Sequence, residues 1–155
     1  MSGWYGRVTA DPDDLSPLVD CMDFYEAEYN DAMSEIKTKG RIEDLAKRLP
    51  GWVAFRFAQL QELEAILEYL NIKLRKVKGE RYQFFMEKYA RSLTSRDAEK
   101  YADADSAVLE LALLINQVAL MRNKFLAISK AQEQMNWQLG NITKLRVAGI
   151  EDSSI

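Results

Sequence analysis

Along the last third of the chain, apolar residues recur alternately four and three positions apart: Ala107, Leu111, Leu114, Val118, Met121, Phe125, Ile128, Gln132, Met135, Leu139 and Ile142, with Gln132 as the one polar residue on the line. A repeat of about 3.5 residues sustained over that length specifies a long helix with one seam facing another helix. From Ala107 to Leu120 the remaining faces are apolar too: Leu109, Leu113 and Ile115 lie off the seam, and Glu110 is the only charge. One neighbouring helix cannot cover so much apolar surface. The pattern therefore predicts an all-α fold of long helices with a C-terminal heptad seam that assembles into a helical homo-oligomer. The oligomerisation residues expected on this reading are Leu111, Leu114, Val118, Met121, Phe125, Ile128, Met135 and Leu139, with Gln132 helping to set register.

Upstream the periodicity is helical as well. Residues 1–11 read as a loose segment with Gly3, Gly6 and the Asp11-Pro12 turn signal, in which Trp4 and Tyr5 are expected to dock. Ser16-Pro17 starts a helix whose stripe (Val19, Met22, Tyr25, Tyr29, Met33, Ile36) ends before Gly40. Arg41 to Leu49 forms a short amphipathic piece interrupted by Pro50-Gly51, and a long helix follows from Trp52, kinked or divided at Gly79. Leu93 to Ser95 is a break with Thr94 or Ser95 as the next N-cap, and Asp103 or Asp105 caps the seam helix, which is expected to run to about Leu139 before Gly140. Residues 1–40 read as an acidic N-terminal segment with the first helix, and residues 41–150 as a helical core, the two making one structural domain.

Charge divides the chain in the same place. Up to Ile36, nine acids (Asp11, Asp13, Asp14, Asp20, Asp23, Glu26, Glu28, Asp31, Glu35) face Arg7 alone, a net −8; since the whole chain of 155 residues carries −3, the remainder carries +5. An acidic head on a basic body suits different partners at its two ends, or two solvated helix faces with no further role. The lone Cys21 has no intrachain partner, and MSGWYGRVT lacks a signal peptide's apolar core, so a reducing, cytoplasmic setting is expected. The longest uncharged apolar run lies between Glu110 and Arg122, short of the roughly 20 residues of a membrane span.

The absence of histidine removes the commonest metal ligand and general base, and neither G-x-x-x-x-G-K nor G-x-G-x-x-G occurs. No catalytic residue, metal site or cofactor is expected, and the chain does not read as an enzyme. Basic and aromatic side chains interleave between Lys73 and Arg91, which suits sequence-tolerant binding to single strands: cations neutralise phosphates while an exposed ring stacks on any base. The DNA-binding candidates are Lys73, Arg75, Lys76, Lys78, Arg81, Phe84, Lys88 and Arg91. Tyr82, Phe85 and Tyr89 share a helix face read as core, which leaves Phe84 as the stacking residue. The plain alternative is a solvated basic helix, or one paired with the acidic head of a neighbouring subunit.

The stretch from Tyr101 to Gly149 opens a long apolar helix with Asp103-Ala104-Asp105 and closes it with Ile142-Thr143-Lys144-Leu145-Arg146-Val147-Ala148-Gly149. In this it resembles the C-terminal half of the UvsY family, the recombination mediators of tailed phages, over residues 62–150. The resemblance implies single-stranded DNA binding through a basic-aromatic run, matched here by Lys78, Arg81, Tyr82, Phe84 and Phe85. Gly79-Glu80 interrupts that run, which in the family is one residue shorter and lacks the acid. It further implies a ring of about six or seven subunits that helps displace the phage single-strand binding protein and loads a UvsX-type, RecA-like recombinase in the cytoplasm of an infected bacterium. The rival reading is a helical adaptor or regulator that contacts proteins only and forms a dimeric or four-helix bundle.

Overall fold

The computed structural model describes residues 3–37 and 39–149, so the expected domain limit at Ile150 lies outside the described residues. Five helices follow one another: α1 (Trp4–Val8), α2 (Pro17–Glu35), α3 (Ile42–Glu87), α4 (Ser95–Asp103) and α5 (Ser106–Val147). Among the described residues all regular structure is helical.

α3 and α5 dominate, with 46 and 42 residues, or about 69 and 63 Å at 1.5 Å per residue. They run antiparallel. Leu45 and Leu49 near the start of α3 pack with Met135 and Leu139 near the end of α5, whereas Arg81 near the end of α3 reaches Asp105 at the start of α5. The seam's partner is thus α3 of the same chain. Leu111, Val118, Met121, Phe125, Ile128, Met135 and Leu139 are all buried, and Leu114 is half-buried against the same core. This corrects the oligomerisation assignment: the apolar surface of these residues is already covered within one chain and is not open to a second. Gln132 lies in that interior too, 1% exposed, and neither of its amide atoms has a hydrogen-bond partner among the described residues.

The head joins the core rather than standing apart. Val8 of α1 and Leu18, Cys21 and Tyr25 of α2 pack with Leu60, Leu63, Ile66 and Leu70 of α3 and with Val118 and Phe125 of α5. Within the segment expected to be loose, Trp4–Val8 is helical, and Glu62 of α3 gathers it. One carboxylate oxygen accepts the Tyr5 amide at 2.9 Å and the other the Tyr25 hydroxyl at 2.6 Å. A Cβ on Gly3 would meet that carboxylate, which would have to shift to make room. Lower on α3, Arg56 is 2% exposed and bridges Glu35 and Glu28 of α2, the latter also bound by the Gln59 amide. Burial by itself lowers a guanidinium's pKa, but the two carboxylates outweigh it and raise that of Arg56.

Two predicted interruptions are absent. Pro50 and Gly79 both lie inside one continuous α3, and α5 passes Gly140 to end at Val147. In α3 long-range packing overrides the local breakers: Leu45 and Leu49 anchor it on α5 ahead of Pro50, and Phe85 anchors it beyond Gly79. The caps follow expectation, with Thr94 accepting from the Asp97 amide and Asp105 from the Ala107 amide.

Candidate nucleic-acid interface

The end of α3, the nine-residue α4 and the start of α5 form the tip of the helical hairpin, and the basic stretch lies along and beneath it. The helix distributes its cations over several sides instead of one. Arg75 reaches back to Glu68 at 3.1 Å and Lys76 forward to Glu80 at 3.8 Å, both exposed pairs within α3. Lys73 and Lys76 line a cavity of about 220 Å³ with Tyr69, Ile72 and the Pro12-Asp13 turn of the head.

Lys78 and Arg81 turn toward α4 and α5. The Lys78 ammonium lies 2.6 Å from an Asp103 carboxylate oxygen, and Arg81 donates from Nε to Asp105 Oδ2 at 2.7 Å, with Nη2 also 2.7 Å from that oxygen. The Arg81 guanidinium also stacks over the rings of Phe84 and Phe85, 4.7 and 5.5 Å from their centroids. Phe84 is half-buried beneath it and packs with Leu93 in the small cluster built on Phe85, Ala98 and Ala102. Its ring is a poorer stacking face than the sequence suggested.

The exposed rings are others. Phe85 is core as expected, but Tyr82, Tyr89 and Tyr101 are 37, 40 and 47% exposed, which corrects the assignment of Tyr82 and Tyr89 to the core. Tyr89 and Tyr101 lie 5.8 Å apart at 38°, each within 5.5 Å of the Phe85 ring, so a buried ring supports two exposed ones. Lys88 and Arg91 adjoin Tyr89, Lys100 adjoins Tyr101, and these three exposed cations have no ion-pair partner among the described residues. Beside this platform a cleft of about 560 Å³ runs between α3 and α4, lined by Lys78, Gly79, Tyr82, Ser95, Arg96, Glu99, Ala102 and Asp103.

Sequence reasoning missed Arg96, Lys100 and Tyr101. The available signal was the i,i+4 pair Arg96 and Lys100 behind the Thr94 cap, on a helix too short to show a convincing period. Among the described residues no group of three or more potential ligands is placed to hold a metal ion.

On the far side of α5, away from the buried seam, Leu109, Leu113 and Leu120 are 51, 63 and 65% exposed, with Asn116 and Asn123 on the same line. α5 is also long and apolar enough to meet the criteria for a membrane crossing by length and composition, a test that core helices pass as well. No protein-family model matches the chain, and neither does any curated protein or solved structure.

Proposed function

We propose that this chain is a recombination mediator that binds single-stranded DNA, helps displace the single-strand binding protein and loads a RecA/UvsX-like recombinase, acting as a homo-oligomer in the cytoplasm of an infected bacterium. One observation carries the DNA-binding part of this reading: Tyr89 and Tyr101 form an exposed aromatic platform beside Lys88, Arg91 and Lys100, which have no ion-pair partner among the described residues. Stacking faces beside exposed cations are what sequence-tolerant single-strand binding requires. The mediator role rests on the resemblance of residues 62–150 to the UvsY family.

Self-association is supported by a different surface from the seam. Three leucines more than half exposed on one line of α5 leave apolar surface of a kind that marks interaction sites. Several copies would repeat a modest basic patch and gain avidity, so a chain of net charge −3 could still bind a polyanion. The same leucines also favour the protein-only adaptor, which needs an apolar docking face and no DNA site.

Titration of a labelled oligo-dT by the full chain at two salt concentrations, with the mass in solution measured alongside, separates the two. Salt-sensitive binding by a multimer supports the mediator. A multimer or monomer with no affinity for the oligonucleotide at low salt refutes it in favour of the adaptor.

A further inference from the structure

We propose that the α4–α5 elbow is a carboxylate latch on the DNA-binding cations, closed in the absence of DNA and exchanged for backbone phosphates when a single strand binds. The proposal rests on the nucleic-acid reading above. Lys78 and Arg81 are i,i+3 neighbours on α3, and the anions that hold them, Asp103 and Asp105, flank the single residue Ala104. Both cations are therefore held by one element. Arg75 and Lys76 differ, because Glu68 and Glu80 belong to α3 itself and no other element is released when those pairs break.

The latch is built to exchange. α4 contributes only Ala98 and Ala102 to a cluster separate from the main core, and segments with so little buried surface open more readily than the core does. Asp105 divides its two oxygens: Oδ1 accepts the Ala107 amide as the cap of α5 while Oδ2 takes Arg81. Loss of Arg81 therefore leaves α5 capped. The guanidinium is meanwhile held over the Phe84 and Phe85 rings, which keep it in place for whichever oxyanion replaces the carboxylate. Each exchange frees a carboxylate, which gathers a counterion as the DNA loses one. The latch thus lowers affinity and flattens its dependence on salt.

The test compares the wild-type chain, Asp103→Asn with Asp105→Asn, and Glu99→Gln, by fluorescence anisotropy of a labelled oligo-dT across a salt series. Asparagine caps helices as well as aspartate does, so α5 keeps its start. Glu99 lines the same cleft with no ion pair among the described residues, and controls for the mere loss of negative charge. The double variant binds about tenfold tighter at low salt, with a log–log slope steeper by up to about 0.7 per released cation, while Glu99→Gln stays within about twofold of wild type. If the wild type binds but the double variant only matches Glu99→Gln, the latch is overturned and the DNA reading stands. If none of the three binds the oligonucleotide, both fall together.

Discussion

Aspartate substitutions on opposite sides of α5 should have opposite consequences. Phe125 is fully buried, with the ring of Tyr25 edge-on at 5.5 Å and that of Tyr29 at 6.4 Å; Val118 is fully buried as well. Truncating a buried phenylalanine to alanine costs about 3–5 kcal/mol. Aspartate at that site adds an unpaired charge to the same loss, or the cost of keeping it neutral. Against a domain stability of about 5–15 kcal/mol, Phe125→Asp leaves little or no folded protein. Leu113 and Leu120 are 63 and 65% exposed, and surface changes of this kind shift stability by roughly 0.5 kcal/mol or less. Leu113→Asp with Leu120→Asp therefore keeps its helicity and its denaturation midpoint while the mass in solution falls. Circular dichroism through a urea titration, paired with light scattering, reads both quantities. A folded Phe125→Asp protein of reduced mass, beside an outer-face variant of unchanged mass, would refute the placement of the seam inside the chain and return it to the contact between subunits.

Replacing Arg56 by alanine strands the Glu28 and Glu35 carboxylates and should destabilise the fold by about 3–5 kcal/mol in chemical denaturation; a loss under about 1 kcal/mol would mean the bridge is no more than a surface pair. Gln132→Met removes two unpaired buried amide atoms and should raise stability by about 1–3 kcal/mol, and a clear fall would show that those atoms have partners in solution. Burial, helped by the charge of Glu62, pushes the Cys21 thiol from 9.0 up to about 12. Its contribution to stability is therefore fully present below pH 9 and lost as pH rises toward 12; Cys21→Ala should flatten that alkaline decline while leaving assembly and DNA binding intact. Tyr89→Ala with Tyr101→Ala should weaken oligo-dT binding by roughly 1–3 kcal/mol per stacked base with an unchanged salt slope, whereas Lys88→Ala with Arg91→Ala should lower the slope by about 0.7 per lost contact; a Tyr pair that shifts the slope would belong to the electrostatic part of the site.

The elements whose signals are local could be read directly. Ser16-Pro17, Thr94 and Asp105 mark helix starts by side-chain chemistry within a few residues, and the 3.5-residue period exposes the buried line of α5. The same period does not say whose helix lies opposite, and here it is α3 rather than a second subunit. Pro50 and Gly79 misled for a related reason, since the packing that carries a helix through a breaker comes from residues far away in the chain; the turns of α5 past Gly140 are mostly exposed and have no such support. The candidate site follows the same division. Its region was visible as a run of charge and rings, but the partners of Arg81 and Lys78 lie 24 and 25 positions further on, so nothing near them announces that they are engaged. Tyr89 and Tyr101 become neighbours only once α4 folds back on α3.

The antiparallel pairing of α3 with α5 also dictates an order of events during synthesis. A ribosome delivers the head and all of α3 before α5 exists, so Leu60, Leu63, Ile66 and Leu70 emerge with only α1 and α2 to lean on. Val118 and Phe125, which complete that core, follow about 50 residues later, and at roughly 5–20 residues per second the interval is several seconds. During it the nascent chain carries an apolar flank in search of a helix. A sister chain on the same message carries an identical flank and, once finished, an α5 able to fill it. Exchange of α5 between neighbours is thus the characteristic error open to this fold, and slow, dilute expression is the condition that suppresses it.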